Sequence, residues 1–206
     1  KTNVTYGYIF PVACLLILYK NRELLIRYNE LESENKRLLE ENDLTWLKNL
    51  REHPSTNQSL GTFCLLNDAK QKAWFNSLQN DSRRCYMIFE KEMEGIFQKI
   101  GMVRITEIDL INKSMCVGGD MALEHRGCGY AKEMYNLIFK YGFDCMNMHR
   151  LWLLVLEDNI IAKSLYEKMG FIKEGVQREA VYSNGKYKNY EMMSILKSEY
   201  LEKKNV

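Results

Sequence analysis

The 206-residue chain has 46% hydrophobic residues and a nearly balanced charge, with 29 Lys and Arg against 27 Asp and Glu. This composition excludes a disordered or low-complexity protein, and the length suits one domain with a substantial core. A formal charge of +2 does not give the concentrated basic face that nucleic acid requires, so no nucleic-acid partner is expected. Six cysteines and three histidines are scattered without metal-ligand spacing, which predicts no metal site and a reduced, cytoplasmic location.

Residues 1–33 form an N-terminal extension whose role the sequence leaves open. Residues 8–19 are apolar except for Pro11, a run shorter than the about 20 residues that cross a membrane. We therefore expect no membrane contact for residues 1–22 and favour an element packed on the domain or on a partner chain. A truncated anchor and the tail of an upstream segment are the alternatives. Apolar residues from residue 24 have coiled-coil spacing over too few heptads to decide, and a helix is expected before residue 35.

The domain itself is predicted to span residues 34–206 and to begin with a strand over residues 36–41. Asp43 then predicts the N-cap of a helix that ends before Pro54. A polar loop is expected over residues 55–66. A second helix begins near Asn67 and turns an apolar face to the core, made of Ala73, Trp74, Phe75 and Leu78.

The second half alternates strand and helix patterns. A meander of three strands is predicted over residues 84–90, 99–109 and 114–123. A helix over residues 129–141, a buried strand over 151–156, a helix over 160–169 and a hairpin of 171–182 with 190–196 follow. This order of elements predicts a mixed α+β fold.

A turn with two glycines, Gly127 and Gly129, joins a predicted strand to a predicted helix. Glycine lets the backbone approach a bulky anion, and the first N–H groups of a helix have no partner within it. Such a turn can hold phosphate groups. A dinucleotide fingerprint would need a third glycine where Lys132 stands, and a P-loop motif is absent. An ordinary turn remains the alternative on this evidence alone.

Two downstream motifs change that balance. Arg126-x-x-Gly129-x-Ala131 resembles the pyrophosphate motif of the GCN5-related N-acetyltransferase (GNAT) family, and residues 159–171 resemble its N-x-x-[AS]-x-x-[LF]-Y-x-x-x-G-F helix. The C-terminal residues 174–196 resemble the ribosomal-protein and small-amine branch of the family. The resemblance covers residues 35–200 and implies the acyl-CoA N-acyltransferase fold, with a central mixed sheet of about seven strands and about four flanking helices.

The resemblance also implies the residues that would bind acetyl-CoA, the acyl donor. Backbone N–H groups of the turn would hold the pyrophosphate, and the preceding strand would bind the pantetheine like a further strand. This requires the strands on both sides of the turn to separate, which leaves peptide groups unpaired. Cys128 replaces a common Lys or Arg, and we expect weaker attraction of the anion without loss of the site. The implied cofactor-binding residues are Met121, Ala122, Leu123, Arg126, Gly127, Cys128, Gly129, Tyr130, Ala131, Asn159 and Lys163.

Two catalytic residues are predicted. Tyr166 is the candidate general acid, because a phenol with a pKa of about 10 is protonated at neutral pH and can protonate a leaving thiolate. Glu107 is the candidate base, and Asp109, Asp120 and Glu124 are alternatives. An α-amine acceptor, with a pKa of about 8, needs no dedicated base.

The sequence therefore predicts an N-acetyltransferase that acts on a primary amine by direct attack on the thioester. The acceptor is a peptide N-terminus, a polyamine or other small amine, or a nucleotide-linked amino sugar. Residues 51–54 resemble acetyltransferases of the last kind. The alternative is a non-catalytic acyl-CoA-binding module. A homodimer is the expected assembly.

Overall fold

The computed structural model describes residues 36–60, 67–78, 80–183 and 185–204. The strands are β1 (Lys36–Leu38), β2 (Cys85–Met93), β3 (Ile96–Asp109), β4 (Ser114–Met121), β5 (Arg150–Leu156), β6 (Ile172–Ser183) and β7 (Lys186–Leu196). Within the described ranges they form one seven-stranded sheet in the order β1-β2-β3-β4-β5-β7-β6. The predicted mixed sheet is confirmed, whereas the expectations for residues 1–35 lie outside the described residues.

Six α-helices occur in the same ranges, against about four expected. They are α1 (Leu44–Glu52), α2 (Pro54–Leu60), α3 (Asp68–Leu78), α4 (Tyr130–Phe139), α5 (Ile160–Met169) and α6 (Lys197–Lys204). Helix α2 occupies the first part of the predicted loop over 55–66, because a proline that ends one helix also fits the first position of the next. After Phe139, α4 continues as a π-helical turn over Lys140–Cys145 instead of ending at residue 141.

Helix α3 turns most of the predicted face to the core, together with the unpredicted Gln71. Gln71 and Phe75 are buried, Trp74 and Leu78 are partly buried, and Ala73 is exposed. The Gln71 amide Nε2 donates a hydrogen bond of 2.6 Å to the carbonyl of Leu44 on α1. The buried polar group is therefore satisfied, and hydrophobic spacing alone could not identify it.

Strand bounds differ from the predictions mainly at the turns. The hairpin of β2 and β3 closes over Glu94 and Gly95. The connecting turn is therefore shorter than the gap between the predicted strands over 84–90 and 99–109. Strand β4 ends at Met121, two residues early, because a short 3-10 turn over Leu123–His125 follows. Strand β5 alternates between buried and partly buried residues, so the prediction of burial on both faces was only half right.

The sheet separates two hydrophobic clusters. Met102 of β3 belongs to the smaller cluster, which includes Leu44, Leu47 and Leu50 of α1 and Phe75 of α3. The neighbouring Val103 and Ile105 belong to the larger cluster, together with residues of α4 such as Tyr135. This alternation along β3 fixes which side chains face each side of the sheet.

The parallel contact between β4 and β5 is short. It comprises Ser114↔Arg150, Met115↔Leu151 and Cys116↔Trp152, although β4 runs on to Met121 and β5 to Leu156. Every other neighbouring pair in the sheet is antiparallel. The two strands therefore separate beyond Cys116, as predicted, and leave an opening between their carboxyl ends.

Asp43 anchors the start of α1 through ion pairs and does not cap the helix with its side chain. Its carboxylate, 0% exposed, lies 2.6 Å from Arg37 Nη1 and 2.7 Å from Lys99 Nζ. Burial by itself would raise the pKa of Asp43, but the hydrogen bonds from Arg37, Lys99 and the Glu40 N–H lower it to about 2. Asp43 is the N-cap residue of α1 by position, as predicted, but its carboxylate binds Arg37 and Lys99 instead of the N–H groups of the helix.

We predict that Asp43→Asn lowers the free energy of unfolding by about 2 kcal/mol at pH 7, since the folded state favours the ionised carboxylate. The lowered pKa means that this contribution is complete above about pH 4 and disappears as the pH falls toward about 2. Urea unfolding across this range should show a shallower pH dependence in the variant. Asp68→Asn, at a 92% exposed partner of Lys48, is the control and should change stability by less than about 0.5 kcal/mol. Equal effects of both substitutions would contradict the prediction.

Candidate active site

The turn between β4 and α4 is open to solvent. Gly127 and Gly129 have φ angles of 78° and 85°, in the left-handed region, and a Cβ at either position would meet no atom within 4 Å. Among the described residues, no backbone carbonyl accepts a hydrogen bond from the N–H groups of residues 127–131. These donors at the N-terminus of α4 form a site for an anionic group.

The separated ends of β4 and β5 lie next to this turn. The β4 residues 117–121 pair with β3 on one side and have no strand partner on the β5 side. The predicted pantetheine segment is only partly a strand, because Ala122 is buried and donates its N–H to Ile100 O at 2.9 Å. Leu123, 49% exposed, already lies in the 3-10 turn. Met121 is thus the last of the three predicted residues on the open strand edge.

Arg126 connects the turn to α2. Its Nη1 donates to Ser55 Oγ at 2.8 Å, its Nη2 donates to Thr56 Oγ1 at 2.6 Å, and its Nε donates to Met121 O at 3.1 Å. Ser55 Oγ also lies 2.9 Å from His53 Nδ1. The guanidinium therefore joins the first turn of α2 to the end of β4, and its side chain is turned away from the open N–H groups.

Tyr166 packs on α5 facing Tyr135 of α4, with ring centroids 5.3 Å apart. Burial raises the pKa of Tyr166 above its usual value of 10, and the nearby charge of Arg104 opposes this rise. Burial likewise raises the pKa of Tyr135, whose hydroxyl lies close to that of Tyr166 without a hydrogen bond of ordinary geometry. Both phenols are therefore protonated at neutral pH.

Three charged side chains, Asp120, Arg51 and Arg104, interact between α1 and the sheet. The sequence did not predict that they lie together. Asp120 of β4 is 5% exposed, and its Oδ2 lies 3.2 Å from Arg51 Nη2 of α1. Arg104 of β3 crosses over Gly118, where a Cβ would come within 2.7 Å of its Nη2. The signal for Arg104 was a charged residue between the apolar residues Val103 and Ile105, but its neighbours depend on strand pairing that one sequence does not show.

Comparisons with known proteins agree with this geometry. A family model described as an acetyltransferase (GNAT) domain matches residues 37–172, which is more than half of the chain. The chain belongs to the GNAT family. It is an N-acetyltransferase, and the predicted family, fold and activity are confirmed.

The proteins and solved structures to which this GNAT protein is similar include polyamine acetyltransferases. The chain is 28% identical over 172 residues to the spermidine N(1)-acetyltransferase of Vibrio cholerae, covering 81% of this chain and 95% of the relative. It is also 28% identical to the Escherichia coli (strain K12) spermidine N(1)-acetyltransferase, covering 80% and 87%. The Vibrio cholerae enzyme in complex with CoA and spermine superposes with a TM-score of 0.76 at 30% identity, covering 81% of this chain and 96% of that chain. A dodecameric structure of that enzyme gives a TM-score of 0.70 at 28% identity, covering 82% and 96%. Acetyl-CoA as acyl donor, also predicted, agrees with these findings.

Two predicted cofactor contacts of the GNAT motif have structural partners. Asn159 caps α5, where its Oδ1 accepts a hydrogen bond of 3.2 Å from Ala162 N. Lys163 Nζ lies 3.0 Å from Glu191 Oε1 and donates to Glu157 O at 3.1 Å. These contacts account for both residues in the fold, and their contact with the cofactor stays a prediction.

Glu107 and Cys128 are exposed, whereas Tyr130 and Ala131 are partly buried. Glu107 lies at an irregularity of β3 with a φ of 51°, opposite the first half of β4 and away from Met121. Cys128 is a free thiol whose Sγ lies 3.7 Å from Arg126 O. Tyr130 begins α4 next to Ala131, as the resemblance implies. The role of Glu107 as base stays a prediction.

No group of three His, Cys, Asp or Glu side chains in the described ranges could hold a metal ion. No helix in the described part of the chain is long and apolar enough to cross a membrane.

We predict that Gly129→Val abolishes detectable CoA binding, because a branched side chain is strained at a φ of 85° and would shift the N–H donors. Calorimetric titration of CoA checks this. Gly175→Val is the matched control, since Gly175 lies on β6 with open space around its Cα and no positive φ. Unchanged affinity in Gly129→Val would disprove the assignment of the turn.

Arg126→Gln should weaken CoA binding about tenfold, because the turn loses three hydrogen bonds to its neighbours. Ser55→Ala should weaken it less. Combined in a double-mutant cycle, the two substitutions should show a coupling of about 1 kcal/mol, since each removes the same contact. Strictly additive losses would indicate that Arg126 acts on the cofactor independently of α2.

Proposed function

We propose that the protein transfers the acetyl group of acetyl-CoA to a primary amine in the opening between β4 and β5, with Tyr166 as general acid. The observation that supports this most strongly is the position of the open strand edge. This edge of β4 leads to the unpaired N–H groups of the turn. It also includes Asp120, which together with Arg104 acts on the pKa of Tyr166.

The turn and the strand edge would place the donor. The N–H groups of residues 127–131 would donate to the pyrophosphate, and the edge of β4 near Met121 would bind the pantetheine amides. Because this edge has no strand partner beyond Cys116, the donor would complete the sheet hydrogen bonding there. The thioester would then lie between the two separated strands.

The proton inventory assigns one step to Tyr166. The neutral amine nitrogen forms a bond to the thioester carbonyl carbon, the C–S bond breaks, and the proton that the nitrogen loses passes to water, which afterwards reprotonates Tyr166. The departing thiolate takes a proton from the Tyr166 hydroxyl, whose raised pKa keeps it protonated at neutral pH. An α-amine is partly neutral at pH 7 and needs no dedicated base, whereas an alkyl amine does. Glu107 would need a water-mediated path to serve, because it is exposed.

The acceptor and the assembly belong to the proposal. The named relatives suggest a polyamine, residues 51–54 suggest a nucleotide-linked amino sugar, and the branch resemblance suggests a peptide N-terminus. A related enzyme has been solved as a dodecamer, so we propose a homo-oligomer, for which the dimer is the simplest unit. The proposed location is the cytoplasm.

We predict that Tyr166→Phe slows acetyl transfer about 10²- to 10⁴-fold while the affinity for CoA changes little, because only the proton donor is removed. Release of free thiol, followed with a panel of amines, measures the rate, and calorimetry measures the affinity. Tyr182→Phe is the control, since Tyr182 is 63% exposed on β6. Full activity in Tyr166→Phe would reassign the acid, and CoA binding without turnover in the wild type would favour a non-catalytic module.

A further inference from the structure

The sheet face beside the proposed reaction site has an excess of positive charge. Arg51 and Arg104 both act on one carboxylate, that of Asp120. Arg51 makes the direct ion pair of 3.2 Å, and Arg104 interacts with Asp120 electrostatically. Among the described residues, no hydrogen bond or ion pair within contact distance engages the Arg104 guanidinium, so its donors have no fixed protein acceptor there.

Arg104 is directed toward the opening by a glycine. Its guanidinium crosses Gly118 of β4, where a Cβ would come within 2.7 Å of Nη2 and 3.3 Å of Nε. Gly118 belongs to the part of β4 that has no partner on the β5 side. A side chain at position 118 would therefore displace the guanidinium from the rim of the opening.

Several tyrosines interact electrostatically with the same guanidinium, namely Tyr86, Tyr135, Tyr166 and Tyr190. Tyr190 Oη donates to the carbonyl of Leu60 at the end of α2 with a distance of 3.1 Å, which ties α2 to β7 above the site. A molecule that reaches Tyr166 to be acetylated therefore approaches Arg104.

Helix α2, which Tyr190 contacts at Leu60, supplies no compensating acid. Its residues, Pro54–Leu60, include neither Asp nor Glu. A polyamine carries two or more positive charges and would need carboxylates in its site, whereas the described groups here sum to one positive charge: Arg51 and Arg104 against Asp120.

We infer that the acceptor is an amine that carries an oxyanion, a carboxylate or a phosphate, within a few bonds of the amino group, and that Arg104 binds this oxyanion. The inference rests on the proposed acetyl transfer and narrows its substrate class. A partly buried guanidinium without a protein acceptor among the described residues is suited to bidentate recognition of such a group. The amino group would then be held between Arg104 and the thioester.

The test compares matched acceptors. The pairs are β-alanine with β-alaninamide, O-phosphoethanolamine with ethanolamine, and the peptide Ala-Asp with Ala-Asn, both peptides amidated at the C-terminus; spermidine is added. We expect kcat/KM to be about ten- to hundredfold higher for the anionic member of at least one pair than for its neutral partner or for spermidine. The pair that shows the preference identifies carboxylate or phosphate as the recognised group.

Variants of Arg104 test whether this residue causes the preference for the anionic acceptor. Arg104→Gln should lower kcat/KM for the anionic acceptor about ten- to hundredfold more than for its neutral partner, with the larger rise in KM for the anionic acceptor, whereas Arg104→Lys should retain part of the preference. Arg178→Gln, an exposed site on β6, is the matched control and should behave as wild type.

The outcomes separate the two levels of the proposal. A wild-type preference for spermidine or for the neutral partners, or an anion preference that persists in Arg104→Gln, would overturn the inference and leave acetyl transfer in place. Absence of turnover with every acceptor, while CoA still binds, would overturn the proposed function together with the inference. The wild-type comparison decides the matter even where Arg104→Gln does not fold.

Discussion

The separation of β4 from β5 is the constraint on which the site depends. Three residue pairs join the strands, and beyond Cys116 the peptide groups of β4 have no partner on that side. Unpaired peptide groups in a sheet interior are costly unless a ligand or water satisfies them. The opening persists because β5 remains fully paired with β7 from Arg150 to Leu156, so the sheet is held on its far side. The site is therefore a consequence of topology before any side chain is considered.

The α1–α2 junction holds both ends of the segment that follows the opening. Arg51 at the end of α1 pairs with Asp120, and Ser55 and Thr56 at the start of α2 accept from Arg126. The chain between Asp120 and Arg126 contains the last residue of β4 and the 3-10 turn before the glycines. Helices α1 and α2 thus help to fix the position of the turn that is proposed to bind the acyl donor. This explains why the arginine of the motif points to protein hydroxyl groups.

Local patterns predicted those parts of the fold whose causes are local. Helix α5 was predicted residue for residue, because a capping asparagine precedes it and Gly170, with a φ of 101°, ends it. The turn at Gly127 and Gly129 was also recognisable, because its two glycines are a local signal. The ion pair of Asp43 with Lys99 and the position of Arg104 over Gly118 were not predicted, because each joins residues that are distant in sequence and that strand pairing brings together. Helix α2 was missed because its composition, Pro-Ser-Thr-Asn-Gln-Ser-Leu, has turn and helix-start signals without an apolar period.

The balance of burial and charge around Tyr166 explains how a phenol can act as an acid here. Burial raises its pKa and keeps the proton in place, but burial alone would leave a phenolate with no compensation after proton transfer. Arg104 lowers the cost of that phenolate, while Asp120 acts in the opposite direction. The same guanidinium can therefore serve the leaving group and the acceptor, because both present negative charge to it. A positive group at the rim of the opening suits transfer to an anionic amine better than transfer to a polycation, which would compete with Arg104 for Asp120.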